Sequence, residues 1–477
     1  MLATKTILGA GWTVSARLSG RAIDIVTMLV LARALTPADF GLTALAGTLV
    51  LILDAVLEIP LILVLTSLKT VTRSHLDTAF TLGFLRGASL TAILLVASWP
   101  FALSYGDNRL PALIAAMALG PVARSLYSPG MVQHVREISF RQSFTAELVG
   151  RVIASALAIL TVYLGGGYWG IVVNNACSSI ATTVISYILA PYRPRFSLAR
   201  FSDLSSFLGW FSTAQIFKAI SWQFDRVLLG YYITKSDLGQ YTTASDLAIF
   251  PMQSLIGPAM QPLMAAFSRI KEDRERLCSA YLNASRLTMM MAAPTCIGIS
   301  LTSDLVVDVL LGGKWTETGV YLQWLSAALL LNAFYQPMHS LALATRRTDL
   351  VFRLSVAEAC SRIVLVLAGL QFFDVIGVIA SRGAMSLVMF VLSMFSARYM
   401  IGATLLSQLK NLWRVAAASV AMAAIVLMVR HELRGRELGD LTQLALIAAL
   451  GAAVYAATLS ALGVRIRHYL SGLGASR

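Results

Sequence analysis

Charge is scarce in this chain. Asp, Glu, Lys and Arg make up 13% of its 477 residues, about half of the roughly 25% usual in a soluble domain. No stretch between its apolar runs is long enough to fold as a globule in water, which excludes a soluble catalytic domain. Cysteine is rare too. Cys177, Cys278, Cys296 and Cys360 show no paired spacing, so neither a disulfide framework nor a thiolate metal site is expected, and they read as small residues packed in apolar helices. The five histidines (His75, His134, His339, His431 and His468) are scattered. No glycine-rich lysine loop for nucleotide phosphates occurs. No metal, no cofactor, no catalytic residue and no direct use of ATP is therefore expected. The first apolar stretch is interrupted by Arg17, Arg21 and Asp24 and reads as a retained helix, not a cleaved leader.

Apolar sequence fills the space that charge leaves. The chain is 57% hydrophobic with a mean hydropathy of +0.73, and windows of membrane-spanning length recur from end to end. About fourteen candidate spans follow, near 8–34, 40–66, 77–104, 110–127, 142–164, 168–190, 207–233, 239–267, 277–303, 319–344, 351–372, 375–400, 411–430 and 441–463. The expected fold class is an all-α polytopic membrane protein. The formal net charge of +14 does not point to nucleic acid, because the basic residues are spread over short loops and helix interiors and form no basic domain. Loops holding Arg136, Arg141, Arg193, Arg195, Arg200, Arg269 and Arg274 are much richer in cations than the opposite set. The positive-inside bias then puts both termini in the cytoplasm, and turns such as Gly165–Gly167 and Gln371–Asp374 on the other side.

The chain also repeats itself. Leu31, Thr36, Asp39, Gly41 and Pro60 recur as Leu229, Thr234, Asp237, Gly239 and Pro258. Arg73, Leu76, Ala79 and Phe80 recur as Arg274, Leu277, Ala280 and Tyr281. Phe140-Arg141 and Ala146-Glu147-x-x-x-Arg151 recur as Phe352-Arg353 and Ala357-Glu358-x-x-x-Arg362. Duplicated membrane halves with an even number of spans share one orientation and suit a transporter that rocks about a site between them. The expected divisions are a first six-helix bundle over 1–200, a second over 201–402, and two further helices with a cytoplasmic tail over 403–477. Pro251, Pro258 and Pro262 predict a kinked eighth span.

Ionisable residues inside spans are costly and mark functional positions by default. Arg17, Arg21, Arg86, Lys218, Arg286 and Arg382 fall roughly 14–20 Å along their helices at about 1.5 Å per residue, which predicts cations converging near mid-depth on an anionic ligand. Guanidinium suits phosphate oxygens, which it binds two at a time. The carboxylates Asp24, Asp54, Glu58, Asp225 and Asp246 are candidates to take up a coupling ion, H+ or Na+. Glu147–Arg151 and Glu358–Arg362 have the favourable i, i+4 order of an intrahelical pair and read either as structural clamps or as substrate contacts. Arg124, near a span end, reads as an interface anchor.

The opening stretch, Arg17-Leu-Ser-Gly20-Arg21 followed by Leu31-Ala-Arg33-Ala-Leu35-Thr-Pro37-Ala-Asp39-Phe40-Gly41, resembles that of the polysaccharide-export, or Wzx-type, oligosaccharide flippases. These belong to the multidrug/oligosaccharidyl-lipid/polysaccharide exporter superfamily. Leu311-Gly312-Gly313-Lys314-Trp315 resembles the family's turn before the tenth span. The resemblance implies a V-shaped pair of six-helix bundles in the bacterial inner membrane. It implies movement of an undecaprenyl-pyrophosphate-linked oligosaccharide to the periplasmic leaflet for lipopolysaccharide, exopolysaccharide or capsule synthesis. Contact with a polysaccharide polymerase or glycosyltransferases would fit that role. The alternatives are a lipid II flippase or a multidrug antiporter of the same superfamily, and, from another class, a membrane glycosyltransferase or polymerase. A cavity for cationic drugs should be acidic, and this one reads as basic. A glycosyltransferase would leave the repeat unexplained.

Overall fold

The computed structural model describes residues 19–68, 70–137, 139–203, 221–433 and 439–464. Every regular element among them is a helix. The chain divides into two compact units, residues 1–242 and 243–477.

In the first unit, α1 covers residues 19–34. It is followed by α2 (Pro37–Val56), α3 (Leu61–Ser67), α4 (Arg73–Tyr105), α5 (Leu110–Ser125), α6 (Met131–Arg136), α7 (Arg141–Tyr163) and α8 (Trp169–Leu189). Helix α9, described over 221–232, leads into α10 (Lys235–Pro251). α7 packs along α8, and α5 lies against α2, α4 and α8.

The second unit holds α11 (Gly257–Arg269), α12 (Arg274–Leu301), α13 (Ser303–Leu310), α14 (Thr316–Leu329), α15 (Tyr335–Ala344), α16 (Thr348–Ile401), α17 (Leu405–Leu433) and α18 (Asp440–Ala461). The last two helices pair with each other and pack on α12. Met289, Met290, Met422 and Ile447 form one core cluster there, and the Tyr455 hydroxyl donates to the Met290 carbonyl at 3.0 Å.

Seven described helices are long and apolar enough to cross a membrane, or eight if α12 and α13, bent by 77°, make one span. Large apolar side chains on α4, among them Val96, Trp99 and Leu103, stay exposed, as a lipid-facing surface requires. The chain is a multi-pass membrane protein. Although α16 counts 54 residues, it is not one rod. Phe373 and Asp374 leave helical geometry, Asp374 with φ of 51°. Ser381 Oγ donates to the Leu365 carbonyl at 2.5 Å, whereas sixteen residues of straight helix would separate them by about 24 Å. The element is a hairpin turning at the expected 371–374 segment. Gly369 and Gly377 face each other across it, and a Cβ on Gly377 would lie 1.9 Å from the Gly369 carbonyl oxygen.

One expected span is broken and another is continuous but carries a π-turn. The span expected over 40–66 stops at Val56 and resumes at Leu61, with Pro60 at φ −78°, ψ 61° between the helices. Proline supplies no N–H and disfavours helical geometry in the residue before it, which ends α2 ahead of it. The span expected over 239–267 carries a π-helical turn at Met252–Ile256, immediately before α11. A π-turn is a recognised cause of a bend.

The repeated Thr-x-x-Asp-x-Gly stretches share one local geometry. Asp39 N–H donates to Thr36 Oγ1 at 3.3 Å, and Thr36 Oγ1 donates to Asp39 Oδ2 at 2.7 Å. Asp237 and Thr234 make the same two bonds at 3.2 and 2.7 Å. Each pair caps the start of a helix, α2 in one copy and α10 in the other. The glycine that follows lets the two helix starts cross. A Cβ on Gly41 would lie 1.8 Å from the Lys235 carbonyl oxygen, and one on Gly239 would lie 1.8 Å from that of Pro37.

Candidate functional site: an arginine cluster at a broken helix

A second close crossing builds the best-defined site of the first unit. Gly83 on α4 meets α5 so tightly that a Cβ there would lie 2.2 Å from the Ser125 carbonyl oxygen. One turn further along the same face of α4 comes Arg86, set against the end of α5 and the end of α2. Breaking α2 at Leu57 leaves its last carbonyls without helical partners, and Arg86 supplies them. Its Nε donates to Leu57 O at 2.8 Å and its Nη2 to Asp54 O at 3.1 Å. The same Nη2 reaches Asp54 Oδ1 at 2.5 Å, and Nη1 reaches Ser125 Oγ at 3.0 Å. The other carboxylate oxygen of Asp54 takes Arg124 Nη2 at 2.7 Å.

Arg86 is nearly enclosed, with 10% of its side chain exposed, while Arg124 is 53% exposed. Both line a cavity of about 440 Å³ walled by Ile62 and Leu65 of α3, Phe80 of α4, and Tyr127. Among the described residues lining it, none is acidic. Sequence reasoning placed Arg124 at an interface and assigned Asp54 to ion coupling. The structure joins them into one cluster with Arg86. Asp54 and Arg124 are 70 residues apart, and no local spacing could signal the pairing.

A second seam ties α1 to α7. Arg151 forms an ion pair with Asp24 and lies over Gly20, where a Cβ would approach its Nε to 3.2 Å. One turn on, Thr27 Oγ1 donates to Ser155 Oγ at 2.6 Å. Arg151, expected to pair within its helix with Glu147, thus reaches across to another helix. Arg21 and Glu147 are exposed and Glu58 half-buried in the α2–α3 break, while Asp246 is exposed on α10. Asp225 is buried and accepts from the Tyr241 hydroxyl at 3.2 Å. Arg17 and Lys218 lie outside the described residues.

In the second unit, Arg286 on α12 donates through Nε to Asn411 Oδ1 on α17 at 2.8 Å, and Asn411 Nδ2 returns to the Leu282 carbonyl at 2.6 Å. Arg362 and Glu358 form the expected pair four residues apart at 3.8 Å. Arg382 is buried, with Nη1 at 3.2 Å from Ser245 Oγ. Of the cations expected to converge on one ligand, Arg86, Arg286 and Arg382 are held by neighbours in their own unit.

The turn between α4 and α5 carries a further cluster. The buried carboxylate of Asp107 takes Arg109 Nη2 at 2.8 Å and also pairs with Lys235. The Arg109 hydrogen bond, helped by Lys235, holds the Asp107 carboxyl well below the usual carboxylate range, against the upward push of burial.

Comparison with known proteins adds four findings. The family described as "Polysaccharide biosynthesis protein" matches residues 30–320. The chain is 27% identical over 314 residues to the succinoglycan biosynthesis transport protein ExoT of Rhizobium meliloti (strain 1021), covering 64% of this chain and 62% of that protein, less than two thirds of its length. It is 23% identical over 430 residues to the lipopolysaccharide biosynthesis protein WzxC of Escherichia coli (strain K12), covering 86% of this chain and 85% of that one. A solved structure of the lipid II flippase MurJ, in an inward closed conformation, superposes with a TM-score of 0.75 at 14% identity, over 96% of this chain and 98% of that one. At that identity the match shows a shared fold.

Proposed function

Because the chain belongs to the polysaccharide biosynthesis protein family, we propose that it is a flippase of the bacterial inner membrane. It moves a lipid-linked oligosaccharide from the cytoplasmic to the periplasmic leaflet, where surface polysaccharide is assembled. The observation that carries this reading is the family match over residues 30–320 together with a relative, WzxC, aligned over 86% of the chain. The bias of the loop cations supports a cytoplasmic position for both termini.

The substrate joins a lipid to a sugar through a pyrophosphate of about two negative charges. With the cell interior negative, each charge gains about 2.3 kcal/mol per 100 mV on moving outward. Membrane potential then favours export, provided the protein's own cations stay in place. Arg21 and the cations still to be placed, Arg17 and Lys218, receive the phosphates. Arg286, Arg362 and Arg382 stiffen the second unit, as their contacts with neighbours support. Of the candidate ion-binding carboxylates, Asp24 and Asp54 face guanidinium groups, which disfavours these two for a counter-ion that assists the empty carrier's return.

The test is flipping in proteoliposomes of the purified chain, with a fluorescent lipid-linked oligosaccharide in one arm and fluorescent lipid II in the other. Flipping of the oligosaccharide, accelerated by a potential negative on the substrate-loaded side, is the expected result. Flipping of lipid II alone assigns the chain to peptidoglycan precursors. No flipping of either removes the transport reading.

A further inference from the structure

The arginine cluster at the α2–α3 break involves two apolar helices, α4 and α5. Residues 87–105 of α4 carry no charge and extend about 28 Å, close to the roughly 30 Å of a bilayer's hydrocarbon core. Arg86 stands at the head of this run, and residues 78–85 before it are uncharged as well. Helix α5 is uncharged from Leu110 to Ala123 and ends in Arg124. The bond from Arg86 to Ser125 brings that end to the same level. Both guanidiniums thus border uncharged, apolar helix segments.

The two arginines differ in what they can still bind. Arg86 commits its Nε and both Nη atoms to Leu57, Ser125 and Asp54. Arg124 makes one hydrogen bond among the described residues, from Nη2 to Asp54, and half of its side chain is exposed. Asp54 therefore sets the orientation of a guanidinium whose Nε and Nη1 remain for a ligand. Beside it the cavity wall is apolar, formed by Ile59, Leu61, Ile62, Leu65 and Phe80. A half-exposed cation adjoining an apolar wall is complementary to a molecule that is anionic at one end and hydrocarbon at the other.

We propose that this cavity binds the phosphate head group of a membrane lipid. Arg124 contacts the phosphate, Asp54 positions Arg124, and the α3 wall takes the first carbons of the chain. The site lies wholly within the first unit and does not depend on the transport reading. A glycerophospholipid and a polyprenyl phosphate present the same chemistry, so the experiment separates them. The full chain is purified in a neutral detergent, and lipid retention is followed by native mass spectrometry. Three probes are used: phosphatidylglycerol, a polyprenyl phosphate, and zwitterionic phosphatidylcholine as reference. Wild type should retain at least one anionic probe several-fold over the reference. Arg124→Gln should abolish the preference and Arg124→Lys should keep part of it, both eluting as wild type in size exclusion. Ile62→Trp, which fills the cavity, should also displace the lipid. Preference for phosphatidylglycerol assigns the site to bilayer lipid, and preference for the polyprenyl phosphate alone assigns it to a lipid carrier. No preference in wild type, or a preference unchanged in both Arg124→Gln and Ile62→Trp, overturns the proposal, whether or not the chain flips oligosaccharides.

Discussion

The stretch Ala-Glu-x-x-x-Arg occurs twice, on α7 and on α16, and its two copies do different things. On α16, Arg362 has 3% of its side chain exposed and stays with Glu358 on its own helix, with Nε 3.5 Å from the Met385 sulfur on the other arm of the hairpin. On α7, Arg151 is 35% exposed and crosses to Asp24 on α1. The sequence is shared but the neighbourhood is not. Against the second arm of a tight helical hairpin, closed by Gly369 and Gly377, the guanidinium meets the Met385 sulfur and its own-helix carboxylate. Beside α1, which offers Gly20 as a recess and Asp24 as an acceptor, the same side chain becomes a link between helices. A duplicated motif passes on charge and spacing, and the packing partner decides what the charge holds.

Burial sets the size of the effect, and the largest is expected at Glu358. Neutralising it by Glu358→Gln removes the carboxylate from beside a buried guanidinium. Breaking such a pair costs about 3–5 kcal/mol, and the partial exposure of Glu358, 29%, places the expected loss near the lower end. Glu147→Gln, the matching change on exposed α7, should be close to neutral. Thermal unfolding of both variants in detergent, read by the fraction eluting as folded protein, measures the contrast. Equal melting temperatures for the two would mean that burial does not separate the copies.

Asp107 is an intermediate case, a buried carboxylate served by cations that reach water. Asp107→Asn should cost about 1–2 kcal/mol, somewhat below the usual value for charge-assisted bonds because Arg109 is half exposed. Its pH dependence has a definite sign. The folded-state pKa is depressed by the Arg109 bond and by Lys235, so the stabilisation is fully present above the unfolded carboxylate value of about 3.9. It declines only as the pH falls below that value toward the folded pKa. The difference in melting temperature between wild type and Asp107→Asn should be constant from neutral pH to about 4 and shrink below it. A difference that already shrinks between pH 7 and 5 would show that these cations do not hold the carboxylate.

What could be read without coordinates was whatever depends on neighbours in the chain. Thr36 with Asp39 and Thr234 with Asp237 were visible as repeated positions, and the structure makes each pair a helix cap. Apolar length located seven membrane-length helices among the described residues, and 371–374 was visible as a short turn between two apolar runs. The cluster of Asp54, Arg86 and Arg124 was not legible, because its members come from three helices and meet only where Gly83 lets α4 and α5 touch. The break at Leu57–Pro60 hid Arg86's role for a related reason. Counting residues along an assumed rod gave it a depth, but not the loose carbonyls at the end of α2 that its donors would satisfy. Carboxylates read as ion sites, Asp24 and Asp54, proved to face arginines 127 and 32 residues away, a distance over which spacing carries no information.

The smallest effect is expected at Arg151, and it tests what exposure means in a membrane protein. Arg151 and Asp24 are 35% and 40% exposed. A pair bathed in water contributes up to about 1 kcal/mol and weakens with salt. The same pair facing hydrocarbon would be coupled far more strongly, since neither charge could be left alone in lipid. Under the proposed function α1 borders an aqueous path for the substrate, so the coupling should be small. The measurement is a double-mutant cycle of Arg151→Ala and Asp24→Asn on thermal stability, at low and high salt. The expected coupling is below about 1 kcal/mol and falls with salt, while the Thr27–Ser155 bond keeps α1 seated in every variant. A coupling above about 2 kcal/mol that ignores salt would place the pair against lipid. Arg151 would then belong with Arg362 as a charge withheld from water, and the contrast between the two copies would reduce to a choice of partner.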